Sequence, residues 1–364
     1  MNRRQLLIGS GSALGLVGGA AVFERARMGS MDDYAAAQAR LRSAFAGHAA
    51  LSELIRFAVL APNGHNTQPW RFRAAADHIA ILPDVTRRTP VVDSDDHHLF
   101  ISLGCAAENL DIAARAQQVG GDLIFASDGG GRIDYHFGSD GAVPADRLAA
   151  IPKRQSTRAP FSGAKVPPTV LRQLEDAAAF DGVGLTLLTD QADIARITEL
   201  VIAGNTAQMA DPAFIAELLH WLRFNPHDAI ATGDGLFSAL GGNPILPAWL
   251  GQRLFPLGFK TETENRKYRE QLATSAGVAV FCAEQSGPEH WVRVGRAAQR
   301  FALQATALGL KLSFVNQPVE VRQFRRDLAA LAGAPGQRPD LVMRFGYGPT
   351  MPYSFRRPVT SVMV

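Results

Sequence analysis

The stretch Gly104-Cys-Ala-Ala-Glu-Asn-Leu-Asp-Ile-Ala-Ala-Arg-Ala116 aligns without a gap to Gly295-Arg-Ala-Ala-Gln-Arg-Phe-Ala-Leu-Gln-Ala-Thr-Ala307. Gly matches Gly, four Ala match Ala, Leu110 meets Phe301 and Ile112 meets Leu303. Each copy then passes through a glycine into a β-like run, DLIFAS after the first and KLSFVN after the second. Small residues at helical spacing let two backbones approach closely. The repeat therefore reads as a duplicated helix whose two copies pack against each other as a central core.

Working outward, Leu51, Leu54, Ile55, Ala58 and Val59 mark one face of a helix that stops at Ala61-Pro62-Asn63-Gly64. Short alternating runs follow at 70–73 and 78–82, then a long helix over about 97–119 and strands over 122–127 and 132–137. After Pro167-Pro168 the second half gives a strand (184–189), a helix (192–209) and an irregular stretch of about 211–265. A strand (277–284), a long helix (290–308), a strand (311–315), a helix near 320–331 and a strand (341–346) complete it. Helices and strands alternate, but not as strict βαβ units, so the class is a layered α+β fold.

A chain of 364 residues exceeds the roughly 250–300 that a single core usually supports. Two halves are expected, 31–150 and 151–364, with an insertion at about 211–265 inside the second. The formal charge of +3, spread over this length, excludes a nucleic-acid binder. Five Lys stand against 32 Arg, so only clustered and correctly spaced arginines carry weight. Cys105 and Cys282 sit inside apolar runs and read as buried small hydrophobes. Asp93-Ser-Asp-Asp-His-His98 reads as the acidic start of a helix, since neighbouring residues are not expected to turn toward one ion. No metal site is expected. His227-Asp228 lacks a nucleophile to serve.

Residues 1–30 read as an address. Arg3-Arg4 precedes a weakly apolar, Gly- and Ala-rich stretch from Leu6 to Phe23, with Arg25 and Arg27 behind it. The pattern resembles a twin-arginine export signal, read by the twin-arginine export machinery. As a membrane anchor it is short against the ~20 apolar residues a span needs. Cleavage after Ala21 would leave a periplasmic protein; retention would leave it membrane-associated. Because that route carries folded proteins, a tightly held cofactor is implied.

Two motifs carry chemistry. Ala61-Pro-Asn-Gly-His-Asn-Thr-Gln-Pro-Trp70 is a Gly-bearing turn that leaves a helix and enters a strand. Asn63, Gly64, His65, Asn66 and Gln68 are its candidate contacts to a flat heterocycle, through backbone N–H groups and side-chain amides. Arg154-Gln-Ser-Thr-Arg158 sets two guanidiniums about a hydroxyl, suited to a phosphate through Arg154, Ser156 and Arg158. The order P-x-x-x-N-x-Q-P-W resembles the flavin-binding loop of the nitroreductase-fold flavoproteins. That family places R-x-S-x-R at the FMN phosphate, with further cations from its C-terminal arm. Arg356 and Arg357, in Pro352-Tyr-Ser-Phe-Arg-Arg-Pro358, match that arm, and Arg344-Phe-Gly-Tyr-Gly348 resembles its strand-ending segment.

In the family both motifs occur in one subunit, R-x-S-x-R first, and each flavin lies between two subunits. Here the first half has the loop and no R-x-S-x-R, Arg40-Leu-Arg42 being the nearest approximation. The second half has R-x-S-x-R and no Asn-x-Gln-Pro-Trp. The resemblance, over roughly 35–364, is to the tandem Acg-type branch. It implies an intramolecular pseudo-dimer, monomeric as a chain, with one FMN between two degenerate halves and the insertion as a lid. Apolar Phe237, Ile245, Leu246, Trp249 and Leu250 would then exclude water. It further implies an FMN-dependent oxidoreductase acting on a small aromatic or quinone-like substrate, with no protein group required as catalytic acid or base. The alternative is an exported FMN store, carrier or electron relay without NAD(P)H-dependent turnover, favoured by the scarcity of NAD(P)H outside the cytoplasm.

Overall fold

The helix that contains the first repeat is buried on every side. In the computed structural model it spans His97–Ala116, and every residue from His97 to Ala114 is buried. A helix apolar all round must lie at the centre of a molecule. Its counterpart, Pro288–Ala307, crosses it. The structure describes residues 25, 27–45, 50–140 and 145–364. The expected export signal lies outside the described residues, save Arg25 and 27–30.

Along the chain the first half contains α1 (Met31–Leu41), α2 (Leu51–Ala58), β1 (Trp70–Ala74), β2 (His78–Pro83), α3 (His97–Ala116), β3 (Gly120–Ala126), β4 (Arg132–Asp140) and α4 (Ala145–Ala150). The second contains α5 (Pro168–Ala178) and β5 (Val183–Leu188), then α6 (Gln191–Met209), α7 (Pro212–Trp221), β6 (Leu222–Arg223), α8 (Pro226–Thr232), β7 (Leu236–Phe237), α9 (Ala248–Gly258) and α10 (Thr261–Ala273). It closes with β8 (Gly277–Ala283), α11 (Pro288–Ala307), β9 (Lys311–Phe314), α12 (Gln317–Glu320), α13 (Arg325–Leu331), β10 (Arg338–Gly346) and α14 (Val359–Val362).

The two halves repeat one topology. The first sheet runs β1-β2-β4-β3 and the second β5-β8-β10-β9, every neighbour antiparallel. In each, the long helix lies between the second and third strands of the chain order. The long helices meet at glycines: a Cβ on Gly104 would lie 2.1 Å from the Val292 carbonyl oxygen, and one on Gly295 2.1 Å from that of Ile101. One turn further along, Gln299 Nε2 donates to Asn109 Oδ1 at 2.6 Å, and Arg300 Nε donates to Glu108 Oε1 at 2.6 Å. Glu108 aligns with Gln299 and Asn109 with Arg300. The same two positions are thus joined twice across the crossing, once by amides and once by an ion pair. Arg296 Nε adds a second bond to Glu108 at 2.9 Å, so this buried carboxylate is held by two guanidiniums.

The copies differ at one turn. β1 and β2 are joined by residues 75–77, whereas residues 189–276 separate β5 from β8. The stretch expected to be irregular is largely helical. Pro212 and Pro226 stand in the first turns of α7 and α8, where a missing N–H costs nothing, and Asp211 and Asn225 cap them. Asp211 Oδ1 accepts from Ala213 N and Asn225 Oδ1 from Asp228 N, both at 2.9 Å. α6 and α10 lie side by side, joined by Asn205 Nδ2 to Asn265 Oδ1 at 2.7 Å. The expected helix near 320–331 is two pieces, α12 and α13. Among the described residues no helix is long and apolar enough to cross a membrane. Cys105 and Cys282 are buried, as their apolar surroundings led us to expect.

Candidate functional site

The loop after α2 is strained. His65, Asn66 and Gln68 have φ of 47°, 55° and 53°, a region non-glycine residues seldom adopt. Side-chain amides hold it. Asn63 Oδ1 accepts from Gln68 N at 2.8 Å and closes the turn on itself. Asn66 Nδ2 donates to Gly235 O at 2.9 Å and to Phe355 O at 3.2 Å, while Asn66 Oδ1 accepts from Arg356. Gln68, fully buried, donates to Gly233 O at 2.9 Å and accepts from Arg357 N at 2.8 Å. In this structure these side-chain amides bond to the protein itself. They fasten three segments together: the 61–69 loop, the 233–235 turn of the insertion and the C-terminal arm.

Arg356 also belongs to this fastening. Its Nε donates to Val59 O at 2.8 Å, Nη1 to Asn66 Oδ1 and Phe355 O, and Nη2 to Leu60 O and Ala61 O. It thereby caps the carbonyl end of α2, where a cation complements the helix dipole. With those bonds its donors are spent, so it offers none to a phosphate. Arg357 Nη2 is bound to Ser361 O at 2.7 Å, and its Nη1 faces Gln68 O at 3.4 Å and Asp84 at 4.0 Å. In this structure both arm arginines tie segments of the protein together. The arm continues onto the first sheet, where Val364 N donates to Phe72 O at 3.0 Å.

Arg154 is the contrasting case. It is 2% exposed, its Nη2 donates to Leu60 O at 3.3 Å, and its Nε and Nη1 have no hydrogen-bond partner among the described residues. Leu60 O is also the acceptor of Arg356 Nη2, so the R-x-S-x-R segment and the stem of the loop meet at one carbonyl. Half-buried Arg42 joins them: its Nη1 donates to Pro152 O at 2.9 Å and its guanidinium lies 4.1 Å over the Tyr353 ring. Burial, and then the charge of Arg154, lowers the Arg42 pKa to about 9. Burial lowers that of Arg154 to about 10, and Arg356 falls well below its usual value through burial, then the charges of Arg42 and Arg154. Among the described residues no carboxylate pairs with any of the three. Of these three guanidiniums without a counter-ion, two have bare donors, Arg42 at Nε and Arg154 at Nε and Nη1, and such a set is suited to an anion. Arg42 was set aside in the sequence as part of an incomplete R-x-S-x-R, because its place depends on a contact 112 residues away.

Ser156 and Arg158 are exposed at the same edge. Thr157 N donates to Leu312 O at 2.8 Å, and buried Arg344 donates to Thr157 O and Ala159 O at 2.8 Å each. The segment is thus fixed from behind while alternate side chains face outward. His65 faces Arg158: burial first, and then the Arg158 charge, lowers the His65 pKa to about 4. A side chain built on Gly64 meets nothing within 4 Å, so this turn leaves its backbone open to approach. The structure therefore sets Arg154 against the stem of the loop at Leu60 O and Arg158 near enough for its charge to act on His65, while Asn66, Gln68, Arg356 and Arg357 fasten the loop to its neighbours. Of the apolar insertion residues, Phe237 packs on Tyr34 at 5.0 Å, but Ile245 and Trp249 are 37% and 56% exposed and face solvent.

Comparison with known proteins finds relatives over most of the chain. The Mycobacterium tuberculosis protein Rv3131, provisionally named an NAD(P)H nitroreductase, is 27% identical over 339 residues, covering 85% of this chain and 90% of its own. A second protein of that organism, acg, with the same provisional name, is 24% identical over 86% of this chain and 94% of its own. Among solved structures, a Bacteroides fragilis nitroreductase with bound FMN is 14% identical, with a TM-score of 0.35, over 57% of this chain and 90% of its own. The FMN-dependent nitroreductase NfnB of Mycobacterium smegmatis, in complex with NADPH, is 15% identical, with a TM-score of 0.37, over 56% of this chain and 87% of its own. The family model described as the nitroreductase family matches residues 151–347, more than half of the chain and the part that contains R-x-S-x-R, so the chain belongs to the nitroreductase family.

Proposed function

We propose that this protein is an FMN-dependent oxidoreductase of the tandem, Acg-like branch, exported by the twin-arginine route, with one flavin nucleotide held between its two halves. The observation that carries the reading is Arg154, a buried guanidinium with two bare donors beside two further uncompensated arginines. A phosphate fits that demand, since it supplies charge and acceptor oxygens together. Arg154 and Ser156 would hold it, with Arg42 adding charge. Arg158, His65 and the Gly64 backbone would stand along the rest of the nucleotide. The domain reading is an export signal at 1–30 and halves at 31–150 and 151–364, with the insertion as lid.

When bound, FMN supplies hydride acceptance and donation, chemistry that belongs to the cofactor. The chain's own residues bind and orient. Arg344 and the Leu312 carbonyl fix the 154–158 backbone, and Asn63 fixes the loop. No protein group is assigned a proton-transfer step. A small aromatic or quinone-like substrate is the expected oxidant.

A second reading is favoured by the fastening itself. Asn66 and Gln68 bind the 233–235 turn of the insertion directly, so a lid anchored there opens only when buried hydrogen bonds break. A protein closed in that way suits an FMN store or electron relay. Anaerobic addition of NAD(P)H to the purified yellow protein separates the two. Bleaching of the flavin absorbance within seconds supports the reductase. No bleaching over minutes, with dithionite still effective, supports the store, and a colourless protein unable to take up FMN contradicts both.

A further inference from the structure

The insertion carries an apolar surface that the flavin reading does not use. Of the ten large hydrophobic side chains that are exposed among the described residues, four fall in one short segment: Ile245, Trp249, Leu254 and Leu257. Exposed apolar residues scattered singly need no explanation, but four so close together form a patch.

α9 supplies most of it. Trp249, Arg253 and Leu257 stand four apart, and Leu250, Leu254 and Leu257 four and three apart, so the two rows share one face of the helix. Trp249 is 56% and Leu257 72% exposed. The opposite face is already covered. Gly251 is buried, a Cβ there would run into the Phe224 ring, and Phe255 stacks on Phe259 with ring centroids 4.6 Å apart. Leu246 N donates to Phe224 O at 3.1 Å and ties the segment before the helix to the same place. The helix is therefore apolar on both faces, and the body of the protein covers only one.

We propose that the outer face of α9 docks on an anionic lipid bilayer surface. Charge decides the partner. From Gly235 to Thr261 the chain has no acidic residue, and its two cations, Arg253 and Lys260, are both exposed. Arg253 lies in the row between Trp249 and Leu257, where a long stem covers apolar surface while its charge reaches lipid phosphates. A second copy of the chain fits less well. A two-fold contact centred on this face would bring the Arg253 side chains of both copies together with no carboxylate from the segment to pair them. Tryptophan and leucines on a short helix with cations and no acid suit the headgroup boundary. Eleven residues are too few to span a bilayer, so the helix would lie in the plane of its surface. No residue of this face is assigned to the nucleotide, so the inference is independent of the flavin reading.

Trp249 is also the reporter, because Trp70, Trp221 and Trp291, the other tryptophans, are buried. The natively exported protein is titrated with vesicles of phosphatidylcholine and with vesicles that also contain phosphatidylglycerol. The expected result is co-sedimentation with the mixed vesicles, weaker binding to the neutral ones, a blue shift of Trp249 emission and its quenching by brominated acyl chains. Trp249→Phe should still bind but lose the quenching signal. Leu257→Asp should weaken binding on the order of 100-fold and Arg253→Glu on the order of 10-fold, with the far-UV spectrum unchanged because both side chains are exposed. Absence of binding to the mixed vesicles, binding that leaves Trp249 emission unquenched, or full affinity in folded Leu257→Asp would each overturn the proposal. A concentration-dependent dimer in sedimentation velocity that Leu257→Asp abolishes would assign the face to a second copy and overturn it as well.

Discussion

Gly104 and Gly295 are counterparts on two crossing helices, and each faces a backbone carbonyl of the other helix three residues before its partner glycine. Neither position has room for a methyl group, since an added Cβ would stand 2.1 Å from oxygen in both. The contact is self-complementary, as in a two-fold dimer interface, yet it lies within one chain.

Gly104→Ala and Gly295→Ala should therefore each destabilise the protein by about 1–3 kcal/mol, through forced separation of the helices. The double variant should lose less than the sum, because the first methyl already moves the helices apart. Urea denaturation of the three variants measures this, and strict additivity would mean that the two contacts are independent.

Asn66 should prove structural. Asn66→Ala removes three buried hydrogen bonds and places alanine at φ 55°, and should cost about 3 kcal/mol. Asn66→Gly keeps the backbone conformation available and should recover roughly 1 kcal/mol of that. Limited proteolysis should show early cleavage near the 233–235 turn and the arm in both variants. Protection equal to the native protein would remove the fastening role.

The fold was legible where pattern and packing coincide. Alanines and glycine at helical spacing announced the central pair, and the loop after α2 was marked by its own composition. The insertion was not legible: read as irregular, it is largely helical, with Pro212 and Pro226 in the first turns of two of its helices. Side-chain type did not reveal the internal bonds of Asn66, Gln68 and Arg356: an amide or guanidinium reveals what it can bond, not which segment will be folded against it. Arg42 entered the site through tertiary contact alone.

His65 should give the stability curve an acid slope. Its folded pKa, about 4, lies below the ordinary value of 6.5, so between those values the unfolded chain binds the extra proton. The contribution is complete above pH 6.5 and is lost as pH falls toward 4. His65→Asn, which tolerates the positive φ, should flatten that part of the curve relative to wild type in urea denaturation across this range. An unchanged slope would place His65 in contact with water.

The two buried arginines should separate by phenotype. Arg154→Ala should weaken FMN retention by about 1.5–3 kcal/mol, roughly 10- to 150-fold, with modest loss of stability. Arg356→Ala should instead lower the denaturation midpoint first, since it strips the carbonyl end of α2 of its cap. Dialysis against flavin-free buffer and urea melts of both variants read the difference, and the reverse pattern would exchange their roles.

The most direct measurement is the number of flavins released per chain on denaturing the natively exported protein. One composite pocket made from two degenerate halves predicts a single FMN per chain, lost together with Arg154. Two flavins per chain, or one that Arg154→Ala leaves fully bound, would contradict it.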